Sequence, residues 1–197
     1  MFERGYLVDD VPLQDLDLLQ RMNQYFASLD LRLRSGQGWV IYNVKGPRST
    51  RLTRFLQQHL TETGGLYSHY FLPWRDFALT AYLVTEELSE LATKEAELSE
   101  HARREYAIAT RVSRQTLARM VTTDLLILNG LLPRTEHELA YLDKTIERRY
   151  QQRLSTILMI PEEPHELVAG IAQITEQGDA IWRRLSERLY QTSLIAV

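Results

Sequence analysis

A chain of 197 residues is long enough to bury one substantial core, or one core plus a small appended module. A hydrophobic share of 44% and a charged share of 25% exclude disordered and collagen-like classes, and a net charge of −3 excludes a uniformly basic nucleic-acid coat. With no cysteine, disulfides, thiolate metal sites and cysteine nucleophiles are excluded together. Residues 1–10 carry acids and no long apolar core, the wrong pattern for a secretory signal. The longest apolar run, 125–132, is interrupted by Asn129 and Gly130 and falls far short of the roughly 20 residues a membrane span needs. The expectation is a cytoplasmic protein with no membrane partner.

Asp9, Asp10 and Pro12 predict a helix start, with acids near the positive end and proline where a missing N–H costs nothing. Leu13, Leu16, Leu19, Met22, Phe26 and Leu29 form its expected apolar face, and it should stop near Asp30. Residues 31–34 then alternate with period two, Gly36 and Gly38 supply a turn, and residues 39–44 are dense in β-branched and aromatic side chains, so a β-hairpin is predicted. Gly46 and Pro47 end it. Ser49 or Thr50 is positioned to cap a helix carrying Leu52, Phe55, Leu56 and Leu60, which Gly64 and Gly65 terminate. Residues 66–72 read as a third strand or a packed connector.

From Trp74 onward the chain runs to Leu132 with no proline and only Gly130 as glycine. Phe77, Ala81, Val84, Leu88, Leu91, Leu98 and Ala102 lay a narrow apolar stripe along a helix that requires a partner. An unbroken helix would reach roughly 90 Å at about 1.5 Å per residue, so a break within 93–104, capped by Ser99, and an antiparallel hairpin are expected in preference to a single rod. Thr135 and Glu138 give a capping box for a further helix carrying Leu139, Leu142, Ile146, Tyr150, Leu154 and Ile157, and Pro164 opens another running to Leu189, with Gly178 on its apolar face.

These readings make the fold class mainly α. An N-terminal helix plus β-hairpin, a winged-helix-like module over residues 1–72, precedes an antiparallel helical bundle or coiled-coil hairpin over 73–197. The order helix, hairpin, basic helix is permuted relative to the usual winged helix, whose recognition helix precedes the wing.

One charge asymmetry points to function. Between residues 31 and 60 stand Arg32, Arg34, Lys45, Arg48, Arg51 and Arg54 without a single acid, and this basic face is the candidate nucleic-acid-binding surface for DNA or RNA. A solvated basic face and a docking site for an acidic protein are the competing readings. Gly46, Pro47, Arg48, Ser49 and Thr50 lie where a phosphate loop would sit, between a strand and a helix, but G-x-x-x-x-G-K-[ST] is absent and no strand ending in a carboxylate is apparent to hold magnesium. A bare anion contact suits the position better than nucleotide hydrolysis. Glu162, Glu163 and His165 have a di-iron-like spacing, but Pro164 places it in a turn, so no metal and no cofactor is expected, and no catalytic residue is assigned. Tyr67, Tyr70, Phe71 and Trp74 form an aromatic cluster that suits a seam between modules better than base stacking. Ile181, Trp182, Leu185, Leu189 and the apolar tail containing Ile195 are the expected interface for self-association into an oligomer or for a partner protein. The functional expectation is a non-enzymatic accessory subunit of a multi-protein assembly with its basic module facing nucleic acid. A free-standing DNA-binding transcriptional regulator and an enzyme of unrecognised type are the alternatives.

Overall fold

The computed structural model describes residues 12–83 and 99–197. Past Pro12 the chain enters helix α1 (Leu13–Ala27) and, after a break at Ser28, the short helix α2 (Leu29–Arg34). Strand β1 (Gly38–Ile41) leads to helix α3 (Gly46–Glu62), after which Gly64 and Gly65 both take positive φ. Strand β2 (His69–Pro73), helix α4 (Trp74–Tyr82), helix α5 (Glu100–Thr122) and strand β3 (Leu125–Asn129) follow. Helix α6 (Glu136–Gln151), strand β4 (Ser155–Met159), helices α7 (Pro164–Ile174) and α8 (Gly178–Thr192), and strand β5 (Ser193–Ala196) complete the order.

Local signals place several helix ends. The Ser99 side chain accepts from the N–H of Ala102 at the start of α5. At α6, Thr135 accepts from the N–H of Glu138 at 3.3 Å, while the Glu138 carboxylate reaches one residue further back than a capping box requires, to the N–H of Arg134 at 2.8 Å. Gly178 permits close helix approach: a β-carbon there would stand 2.4 Å from the Ile171 carbonyl oxygen of α7.

The five strands among the described residues are all parallel, in the order β2-β3-β4-β1-β5, with Trp39 of β1 in register with Ile157 of β4 and Leu194 of β5. Alternate residues serve opposite faces. Trp39, Ile41, Leu125, Ile127, Ile157 and Met159 pack beneath α1, α2 and α3, through Met22, Tyr25, Leu33, Leu52 and Leu56 among others. Val40, Leu126, Leu128 and Leu158 pack against α4, α6, α7 and α8, through Phe77, Leu142, Ile171 and Leu185 among others.

This sheet overturns the mainly-α class, the winged-helix-like hairpin and the antiparallel bundle. Residues 31–34 belong to α2, where Leu29 and Leu33, one turn apart, are the buried pair; the two-residue alternation is incidental to a helix. β1 therefore has no hairpin partner beside it in sequence and pairs instead with β4 and β5. Residues 125–129 and 155–159 pass for helix in sequence because a strand buried on both faces has no polar alternation. Heptad-like spacing continues by coincidence through Leu154 and Ile157, although the chain leaves α6 at Gln152 and passes Arg153 at φ 54°. The stretch 74–132 thus ends in a strand, and its expected break falls partly within 84–98, outside the described residues. α3 starts at Gly46, with Lys45 and not Ser49 or Thr50 at its cap. The helix expected beyond Pro164 divides at residues 175–177. Strands β1 and β2 come from before residue 74 and β3, β4 and β5 from after it, all within one sheet.

Candidate functional site

In open α/β sheets a ligand crevice forms beyond the carboxyl ends of adjacent strands whose connections leave on opposite faces. β4 and β1 are such a pair, since α3 lies on one face and α7 on the other. The turn joining β1 to α3 sits at that point, which is also the strand–loop–helix position of a phosphate loop.

The local chemistry departs from a phosphate loop in three ways. First, three of its backbone donors are occupied. The N–H groups of Tyr42, Asn43 and Val44 donate to the carbonyls of Ala196 (2.8 Å), Glu162 (3.0 Å) and Ile160 (2.8 Å), extending the sheet where a nucleotide-binding loop leaves its N–H groups free to cradle phosphate. Aligned on Ser49, the motif G-x-x-x-x-G-K-[ST] would need glycines at positions held by Tyr42 and Pro47, and lysine where Arg48 stands.

Second, Arg48 does not face an open loop. Its Nε lies 3.1 Å from Oδ1 of Asp15, a carboxylate on α1 whose side chain is only 6% exposed, while Arg48 itself is 11% exposed. One turn further along α3, Arg51 also engages Asp15, with Nε 3.2 Å from Oδ2 and Nη2 on the same oxygen. Third, a cavity of about 380 Å³ beside α3 is lined by Ser49, Thr50, Thr53, Arg54, Gln57 and Asn129, the last residue of β3. Hydroxyls, amides and one guanidinium surround it, with no carboxylate. Magnesium needs carboxylate oxygens beside the phosphates it bridges, so these residues do not fit a magnesium nucleotide.

The basic face expected from sequence is divided by the fold. Arg32 and Arg34 lie on α2, at the amino-terminal end of β1; Lys45, Arg48, Arg51 and Arg54 lie beyond its carboxyl end or along α3. Arg32 donates to Ser28 Oγ and Gln37 Oε1, and Arg34 to Asp30. Lys45 and Arg54 are exposed. Of the expected interface, Ile181, Trp182, Leu185 and Leu189 are buried in the chain's own core, because the sheet absorbs the apolar face of α8. Ile195 remains half-exposed on the edge strand β5. The aromatic cluster is shared between the faces, Tyr67 and Phe71 on one, Tyr70 and Trp74 on the other.

Three residues that sequence reasoning misses carry much of this geometry. Asp15 stands three residues before buried Leu18 on the inward face of α1, a place where an acid requires a cation. Asn129 ends a strand whose sequence passes for helix. Arg149, 1% exposed, donates to the carbonyls of Met120 (2.8 Å), Thr123 (3.0 Å) and Ser155 and to Thr156 Oγ1 (3.0 Å). Burial lowers its pKa to about 10, with Asp124 opposing. Among the described residues no group of three or more histidines or carboxylates is placed to hold a metal ion, and no helix is long and apolar enough to cross a membrane.

No family model matches the chain, and no curated protein matches it in sequence. Solved structures do match. The DnaC helicase loader superposes with a TM-score of 0.60 at 14% identity, covering 95% of this chain and 91% of the loader. DnaI gives 0.59 at 13% identity, covering 95% and 85%. AMPPCP-bound DnaA from Aquifex aeolicus gives 0.54 at 15% identity, covering 94% of this chain and 47% of DnaA. The likeness is one of fold: these structures share the arrangement of the five-stranded parallel sheet and its flanking helices.

Proposed function

We propose that this protein is a non-enzymatic accessory subunit of a DNA-replication assembly, one that engages nucleic acid and a partner protein without turning over nucleotide. The cavity between α3 and the end of β3 carries this reading. It occupies the place where the fold would hold magnesium and phosphates, and it offers Asn129 and Arg54 in place of carboxylates. The similar structures, among them a helicase loader and a DNA replication initiation factor, support a role in replication. Of the six basic residues expected from sequence to contact nucleic acid, Lys45 and Arg54 are exposed at the start of α3 and along it and are offered for phosphate contacts, whereas Arg48 and Arg51 are held by Asp15.

Two measurements on the full chain test the reading. Fluorescence anisotropy with single-stranded and duplex DNA should show binding that weakens as salt rises. Lys45→Gln/Arg54→Gln should reduce both affinity and the salt slope, the slope by about one for each phosphate that is no longer neutralised. Phosphate release from ATP should stay at the no-protein background with and without DNA and magnesium. Turnover above background would defeat the non-enzymatic reading, and DNA binding indifferent to salt would defeat the phosphate-contact part.

A further inference from the structure

Asp15 is the one buried carboxylate at the carboxyl end of the sheet, among the described residues, to face two arginines, and it comes from a helix that lies outside the β1–α3 unit. Arg48 holds the position that lysine holds in a phosphate loop, immediately before Ser49, and Arg51 lies on the next turn of the same helix. Where the fold would meet an anion with such a residue, this chain supplies the anion itself. The fit is incomplete: the Nε of Arg48 is buried and in ion-pair contact with Asp15 Oδ1, yet off the line of a hydrogen bond, so a two-oxygen carboxylate leaves one donor unsatisfied. A phosphate group presents more oxygens over a wider arc.

We infer that Asp15 is a built-in substitute for a bound phosphate, which ties α1 to the start of α3 and closes the loop-to-helix end of the site to phosphate ligands. This rests on the reading that the site does not take a magnesium nucleotide, and it adds the residue that closes it. Two consequences follow. The chain keeps α1 seated without any ligand, because the charge on Arg48 and Arg51 is balanced internally. Removing that charge should open a latent polyanion site made of Arg48, Arg51 and the first N–H groups of α3.

The test compares the full chain with Asp15→Asn, using inorganic tripolyphosphate as the probe and thermal melting and titration calorimetry as readouts. Asp15→Asn should melt several degrees below the parent and be restored by tripolyphosphate, while the parent shifts by less than a degree and gives no binding heat. Asp15→Asn combined with Arg48→Gln should lose the response to tripolyphosphate. If Asp15→Asn does not fold alone, refolding with tripolyphosphate present should recover it, and failure to recover overturns the inference. An Asp15→Asn protein that folds, melts like the parent or ignores tripolyphosphate also overturns it. Tripolyphosphate binding by the unaltered chain overturns it too, whereas turnover of ATP would sink the functional reading itself, so the two failures are separable.

Discussion

Arg149 shows how one side chain can organise a region that no sequence motif marks. Its guanidinium, buried beneath the amino-terminal ends of β3 and β4, gathers the Met120 carbonyl from the last turn of α5 and that of Thr123 just beyond it, together with the Ser155 carbonyl and the Thr156 hydroxyl. The negative end of the α5 dipole adds to the attraction. Lysine, a point charge on a flexible stem, cannot fork across such a set. Arg149→Lys should therefore destabilise almost as much as Arg149→Met, each by about 2–4 kcal/mol in denaturant melts, and a lysine variant within experimental error of the parent would refute this clamp. Burial also raises the pKa of the Tyr25, Tyr42 and Tyr141 phenols, Tyr141 to about 12. A phenol with a raised folded pKa contributes stability that is complete below the unfolded value near 10 and is lost as pH climbs through the folded value. Arg149 acts in the opposite sense: its lowered pKa means a cost present below about 10 that is relieved at higher pH. Ionisation of these buried phenols should hold the melting temperature level up to about pH 10 and lower it above, with phenolate absorbance rising together with unfolding.

At the level of elements, helix ends are legible in the sequence and buried strands are not. Ser99, Thr135 and Pro164 act within three or four residues of themselves, so the chain alone reveals them. β3 and β4 need a partner strand on each side and a helix on each face before their apolar runs mean strand. The inward face of α1 also differs from the expected one: Asp15, Leu18, Met22 and Tyr25 point inward while Leu13 is exposed, and the polar member of that series pairs with arginines on α3 that only the fold brings near. The basic stripe of α3 is legible as charge but not as two classes of arginine. Replacing Lys45 and Arg54 by glutamine should leave the melt within about 0.5 kcal/mol of the parent, as exposed substitutions usually do. Replacing Arg48 and Arg51 strands a buried carboxylate and should cost about 3–5 kcal/mol in chemical denaturation. Equal stability of the two double variants would mean that the Asp15 cluster contributes nothing.

For the whole molecule, the parallel sheet makes sequence-distant segments depend on one another. β1 lies between β4 and β5, so the hydrophobic layer under α7 and α8 includes Val40 and Tyr42 from the first quarter of the chain. Residues 73–197 alone would leave β4 and β5 with no strand between them, and Leu158, Leu185 and Leu189 with a gap where Val40 and Tyr42 pack. Open strand edges beside exposed apolar surface favour aggregation over a smaller fold. We therefore expect a 73–197 fragment to lack a cooperative melt and to give broad amide resonances, and co-expression with residues 1–72 to restore both, because the missing strand would return to its slot. A fragment that melts cooperatively by itself would instead establish residue 72 as the edge of an independent folding unit.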